Sequence, residues 1–193
     1  MNFLSTVRAR RGHFLLESGH HGDFWLDLET LCLRPGMIQP FASELAARLQ
    51  MYEVEAVCGP LTEGAFVALM VAADLSCEFT YAERFANPGR NELYPVDYRV
   101  PRTLQPFVRG RRVAVINDVI GAGSAVRGAC AHLSELGAEV AVIGALLVLG
   151  ESIASFARER SIPIETLERA PANLWTPAEC PLCRSGAPIE QTT

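Results

Sequence analysis

Lysine is missing from this sequence: all 17 basic residues are arginine. That removes Schiff-base chemistry and any compact ammonium clamp, and leaves the planar guanidinium as the one strong cation available. A run of about eighteen uncharged apolar residues is also missing, which argues against a helical membrane span. The opening stretch MNFLSTVRARRGHF carries no signal-peptide core, so a cytoplasmic location is expected. Basic residues are scattered and the net charge is −5, so neither nucleic acid nor an anionic membrane surface is an expected partner. Six cysteines, at 32, 58, 77, 130, 180 and 183, include several inside apolar runs, as reduced thiols in a cytosolic protein do. Repeats and low-complexity tracts are absent. What remains is a 193-residue chain, 49% hydrophobic, long enough for one sizeable core.

Apolar runs at Val54–Cys58, Glu78–Ala82, Val113–Ile116 and Val140–Leu149 alternate with helical patterns at Ile38–Leu49, Gly64–Leu75, Ser124–Leu136 and Ser152–Arg160. The runs are continuously apolar, as strands buried on both faces are, which predicts an α/β fold with a central, mostly parallel sheet flanked by helices. Gly12–Leu28 reads as a small N-terminal hairpin around a Gly-His-His-Gly turn, with His20 and His21 expected in solvent. Residues 85–110 hold Pro88, Pro95, Pro101 and Pro106 and read as a long surface loop or exposed hairpin, a common form for an active-site flap. The expected organisation is a single domain, residues 1–193: a hood over 1–36, a core over 37–170 with the flap at 85–110, and a tail over 171–193 that ends in disorder at EQTT.

The segment VAVINDVIGAGSAVRGA, 113–129, carries most of the chemistry. An apolar strand runs into Asn117 and Asp118, then into Gly121-Ala122-Gly123-Ser124-Ala125 before a helix. Backbone N–H groups at such a turn hold a phosphate, and a carboxylate at the strand's end takes vicinal hydroxyls. Ser124 is the expected N-cap of the helix. An ordinary capped strand-to-helix turn accounts for the same spacing.

VAVINDVIGAGSA resembles the phosphoribosyl-diphosphate signature of the type I phosphoribosyltransferases, and among them the orotate phosphoribosyltransferases. SGHHGDFWLDLETL is similar to the hood of that family, GPLTEGAF to its pyrophosphate loop, FTYAER to the strand entering its flap, and WTPAECPLCRSGAPIE to the tail of a bacterial branch. The resemblance implies a Rossmann-like fold and a homodimer. It also implies a pentosyltransferase that moves ribose 5-phosphate from 5-phospho-α-D-ribosyl 1-diphosphate to a nucleobase, orotate first, releasing pyrophosphate with Mg²⁺. Asp118 and Arg84 would be catalytic. Asn117, Gly121–Ala125, Thr62, Glu63 and Gly64 would bind the donor, and Phe24 or Trp25 would stack on the base, strand alternation turning one to the ligand and the other to the core.

Three departures from the family pattern bear on the reaction. The acidic pair is Asn117-Asp118, so one carboxylate is a neutral amide; hydroxyl binding survives this better than stabilisation of a cationic transition state. The flap has no lysine or histidine, leaving Arg84, Arg90, Arg99 and Arg102. The strand ending LLVLGES lacks the arginine that orotate enzymes set against the substrate carboxylate. A regulatory protein that binds donor or nucleotide with impaired catalysis, or a transferase for another base, therefore stands as the alternative. Cys180-Pro-Leu-Cys183 has the spacing of half a zinc site; a second subunit, His20, His21 or Cys32 would have to supply the rest, and a reduced thiol pair in a tight turn is the simpler reading of the motif alone.

Overall fold

The structure is a computed structural model described over residues 2–86 and 93–191. Two strands, β1 (Arg8–Leu15) and β2 (His21–Asp27), form an antiparallel hairpin. The core then runs α1 (Pro35–Leu49), β3 (Ala56–Pro60), α2 (Glu63–Leu75), β4 (Glu78–Ala86), β5 (Val96–Arg99), β6 (Arg112–Ile120), α3 (Ser124–Glu135), β7 (Glu139–Leu149), α4 (Ser152–Glu159) and β8 (Ile164–Ala170). The tail adds β9 (Leu174–Trp175) and a single turn, α5 (Pro181–Arg184).

The main sheet has the order β5-β4-β3-β6-β7-β8; every pairing is parallel except that of β5 with β4. Alternate side chains of one strand go to opposite faces, and here both faces are apolar. Val57, Ala114, Ile116 and Val142 join one cluster with Phe41 and Leu45 of α1 and Val67 and Val71 of α2. Their neighbours Ala56, Val113, Val115 and Ile143 join a second with Val126 and Leu133 of α3 and Phe156 of α4. Burial on both sides is why these strands read as unbroken apolar runs.

The helices begin and end within three residues of expectation; α1 starts earlier because Pro35, at its first position, gives up only an N–H that has no helical partner there. β8 was not expected: it carries Glu165, Glu168 and Arg169, of which only Arg169 is exposed, and it forms the edge of the sheet, where charged residues are common. β6 continues through Asn117 and Asp118 to Ile120, with Asn117 paired to Ala145 and Val119 to Leu147, so the acidic position lies in the strand and the loop is only Gly121–Gly123. The stretch expected to be a flap contributes β5, whose Val96 and Tyr98 are buried against α3. Pro88 and Arg90 lie outside the described residues. The tail is ordered as far as it is described: β9 pairs with β2, Cys180 is fully buried, and the Glu190 N–H donates to the His13 carbonyl at 2.7 Å.

Candidate functional site

The parallel strands β3 and β6 end side by side, and their following helices α2 and α3 point their N-termini into one cleft of about 520 Å³. The sequence reading brings its residues together here. Thr62, Glu63 and Gly64, Asn117 and Asp118, Gly121–Ala125, and Phe24, Trp25 and Arg84 all line the cleft. Four or so free backbone N–H groups at each helix start make such a place attractive to anions.

Local backbone demands explain the small residues. Gly123 has φ +83 and is the N-cap of α3, which corrects the expectation for Ser124: the serine is the first helical residue, and no side chain caps the helix. Thr62 is the N-cap of α2, again without a side-chain cap bond, and Glu63 opens the first turn. A Cβ on Gly64 would sit 2.0 Å from Asn117 Oδ1, so only glycine lets the α2 terminus approach β6 this closely. A Cβ on Gly121 would meet nothing, leaving its backbone open to the cleft. The Ala122 carbonyl accepts from Tyr94 Oη at 3.3 Å, Arg127 Nε at 3.3 Å and Ser152 Oγ at 3.2 Å, which fixes the loop.

Asp118 is 5% exposed, and burial pushes its carboxyl up to about 7, with the nearby Glu63 charge adding to the rise. Asn117 Nδ2 donates to the Val119 carbonyl at 2.7 Å, holding the amide in place at the strand's end. Phe24 and Trp25 both reach the cleft wall, contrary to the expected division of roles. Phe24 also packs on the core and under the Arg11 guanidinium, at 4.4 Å, while Trp25 lies against Phe14 and donates to Asp27 Oδ1 at 3.1 Å.

Arg84 is the one cationic side chain among the described residues lining the cleft, and it is not free in solvent: its Nε donates to Glu17 Oε2 at 2.9 Å. Glu17 also accepts from Tyr98 Oη at 3.0 Å, and burial followed by the Glu17 charge raises the phenol's pKa. Arg84 and Glu17 are 54% and 37% exposed, so the pair is worth only about 0–1 kcal/mol and yields readily to a bound anion. Sequence reasoning missed Glu17, Tyr98 and Tyr94 because their partners lie 28 to 81 residues away, and Arg127 because one of its two carbonyl acceptors, that of Ser152, is 25 residues away. Arg99, Arg102 and Cys32 do not line the cleft; Cys32 lies near it, its thiol pKa raised by burial and by the charges of Asp118 and Glu63.

No family model matches the chain. Among solved structures it is similar to adenine phosphoribosyltransferase from Trypanosoma brucei (TM-score 0.66, 16% identity, 86% of this chain and 77% of that one). Orotate phosphoribosyltransferase from Aeropyrum pernix superposes with a TM-score of 0.59 at 21% identity, over 83% of this chain and 87% of that one. The architecture is therefore that of the type I phosphoribosyltransferases. The sequence is 31% identical over 186 residues to the orotate phosphoribosyltransferase of Thermotoga maritima, covering 96% of this chain and 92% of that protein, and 28% identical over 179 residues to that of Caldanaerobacter subterraneus. The chain belongs to the orotate phosphoribosyltransferase family.

Proposed function

We propose that the cleft binds 5-phospho-α-D-ribosyl 1-diphosphate, with Gly121–Ala125 on the 5-phosphate, Asp118 on the ribose hydroxyls, Thr62–Gly64 and Arg84 on the pyrophosphate, and Phe24 and Trp25 beside an incoming orotate. The observation that carries this reading is the convergence of two helix N-termini and one buried carboxylate on a single cleft. In the reaction the C1′–oxygen bond breaks with its electron pair leaving on pyrophosphate, the base nitrogen bonds to C1′, and that nitrogen's proton passes to solvent. Positive charge grows on the ribose as the bond breaks, and the Asp118 carboxylate offsets it. Helix N-termini and the Arg84 guanidinium take up negative charge on the departing group.

The donor set also suits Mg²⁺. Asp118 and Glu63 offer hard carboxylate oxygens within electrostatic reach of one another. When bound, the ion neutralises pyrophosphate charge. Six unpaired thiols fit a reducing, cytoplasmic setting. Phe66 and Leu69, one helical turn apart on α2 and exposed next to exposed Leu61, supply an apolar face for a homodimer.

Arg84 provides a test of the site. Arg84→Ala is expected to raise the KM for the donor about tenfold or more, the worth of a charge-assisted phosphate contact. Glu17→Gln, which releases Arg84, is expected to lower it. Steady-state kinetics of both variants check the assignment; an unchanged KM in Arg84→Ala removes Arg84 from the pyrophosphate site.

A second reading, an acceptor without orotate's carboxylate, is favoured by one observation: Arg84 is the sole cationic side chain among the described residues of the cleft, and the first reading already commits it to the pyrophosphate. A pyrophosphate-release screen over orotate, uracil and purine bases separates the two. Fastest release with orotate supports the first reading, and fastest release with a neutral base supports the second.

A further inference from the structure

We propose that His13, His21, Cys180 and Cys183 bind one zinc ion that fastens the tail to the hood. The sequence offers the cysteine pair, with His21 among several possible partners; the fold brings His13 and His21 to it, and the four ligand atoms all lie within 4.8 Å of one another. Zinc–nitrogen and zinc–sulfur bonds of about 2.0 and 2.3 Å place tetrahedral ligands about 3.3 to 3.8 Å apart. Three distances lie in or within about 0.1 Å of that range: Cys180 Sγ to His13 Nε2 3.5 Å, Cys183 Sγ to His13 Nε2 3.7 Å and Cys183 Sγ to His21 Nδ1 3.2 Å. His13 Nε2 and His21 Nδ1 are at hydrogen-bonding distance, 2.8 Å, a contact the ion would open and replace.

The surroundings prepare the ligands. His13 Nδ1 lies 2.9 Å from the Ala187 carbonyl, an acceptor, so that nitrogen carries the proton and Nε2 presents its lone pair to the cluster. Metal-bound histidines are oriented by this kind of outer hydrogen bond. A register shift between Arg11 and Phe14 breaks the alternation of β1, so that His13 and Phe14, though adjacent, are both buried. Bulges re-aim side chains in this way. The tail crosses the bulge so closely that a Cβ on Gly12 would overlap the Glu190 carboxylate. Cys180 and Cys183 flank the first turn of α5, which brings both sulfurs to one side.

Two thiolates and two imidazoles in a closed set of four protein ligands suit zinc in a structural role, with no position left open for substrate. Its consequence is mechanical. β2 carries Phe24 and Trp25, and the β1–β2 turn carries Glu17, so clamping the tail on the hairpin also sets one wall of the cleft. His21 thus belongs to a buried cluster and not, as expected, to a solvent turn.

The test uses the full chain purified under reducing conditions without chelator. Elemental analysis is expected to give one zinc per chain, and replacement by Co²⁺ to give tetrahedral d–d bands with thiolate charge transfer. Cys183→Ser, at an exposed position that folding tolerates, is expected to weaken zinc affinity more than about a hundredfold, beyond what loss of an outer hydrogen-bonding partner costs. His13→Ala should lose the cobalt bands as well. Substoichiometric zinc together with no thiolate–cobalt band after reconstitution overturns the proposal, as does a Cys180–Cys183 disulfide in the reduced preparation.

Discussion

Asp118→Asn is expected to lose about a hundredfold or more in pyrophosphate release and, at the same time, to raise the melting temperature at pH 8. The first effect follows from the role proposed for Asp118 in offsetting charge on a developing ribosyl cation, with the loss of one preorganised electrostatic group, about 10²–10³ in rate, as the scale. The second follows from linkage. Burial raises the Asp118 pKa from 3.8 to about 7, so the folded chain holds a proton there that the unfolded chain has released. The contribution of this group to stability is therefore full below the unfolded value and is lost as pH rises through about 7. An uncharged isostere escapes that loss, and the gain should be several degrees at pH 8 and little at pH 4. Calorimetric scans at the two pH values check the stability, and initial rates check the activity.

Gly59→Ala should damage stability and activity together. Gly59 lies at the end of β3, where a Cβ would come within 2.5 Å of Ala68 Cβ, 2.6 Å of Ala65 Cα and 2.8 Å of the Gly64 carbonyl. Two of the three are backbone atoms of α2 and cannot rotate away. Overpacking of this kind costs about 3 kcal/mol, which lowers the melting temperature by roughly ten degrees in a chain of this size. Relief requires α2 to move off the sheet, carrying Thr62–Gly64 away from the cleft, so donor affinity falls in the molecules that do fold. A melting temperature within a degree or so of the parent would mean that α2 docks less tightly on β3 than described.

How much of this was legible in the sequence depends on how local each contact is. The turn from β6 into α3 could be read because its chemistry is contiguous: an apolar strand, a carboxylate, small residues and a helix start share a dozen positions. The extent of β6 could not, since Asn117 and Asp118 look like loop residues until Asn117 pairs with Ala145 and the sheet covers Asp118. Glu17 pairs with Arg84 and Tyr98 across 67 and 81 residues, and no spacing rule reaches that far. His13 was hidden in the same way. It stands 167 residues from Cys180, and a bulge turns it inward against the alternation that the sequence suggests. β8 was overlooked because an edge strand with Glu165, Glu168 and Arg169 has the composition of a surface tail.

Catalysis despite the absence of lysine and the presence of Asn117 is the central claim, and it rests on Asp118 and two helix N-termini doing work that elsewhere in the family is shared with other charges. The most direct measurement is the initial rate of pyrophosphate release from 5-phospho-α-D-ribosyl 1-diphosphate on adding orotate and Mg²⁺, run side by side on the parent chain and Asp118→Asn. Saturable release by the parent, matched by an equal amount of ribonucleotide and reduced about a hundredfold in the variant, is the predicted result. Release that is equal in the two proteins, or absent for every base in a parent chain that binds the donor, would contradict it.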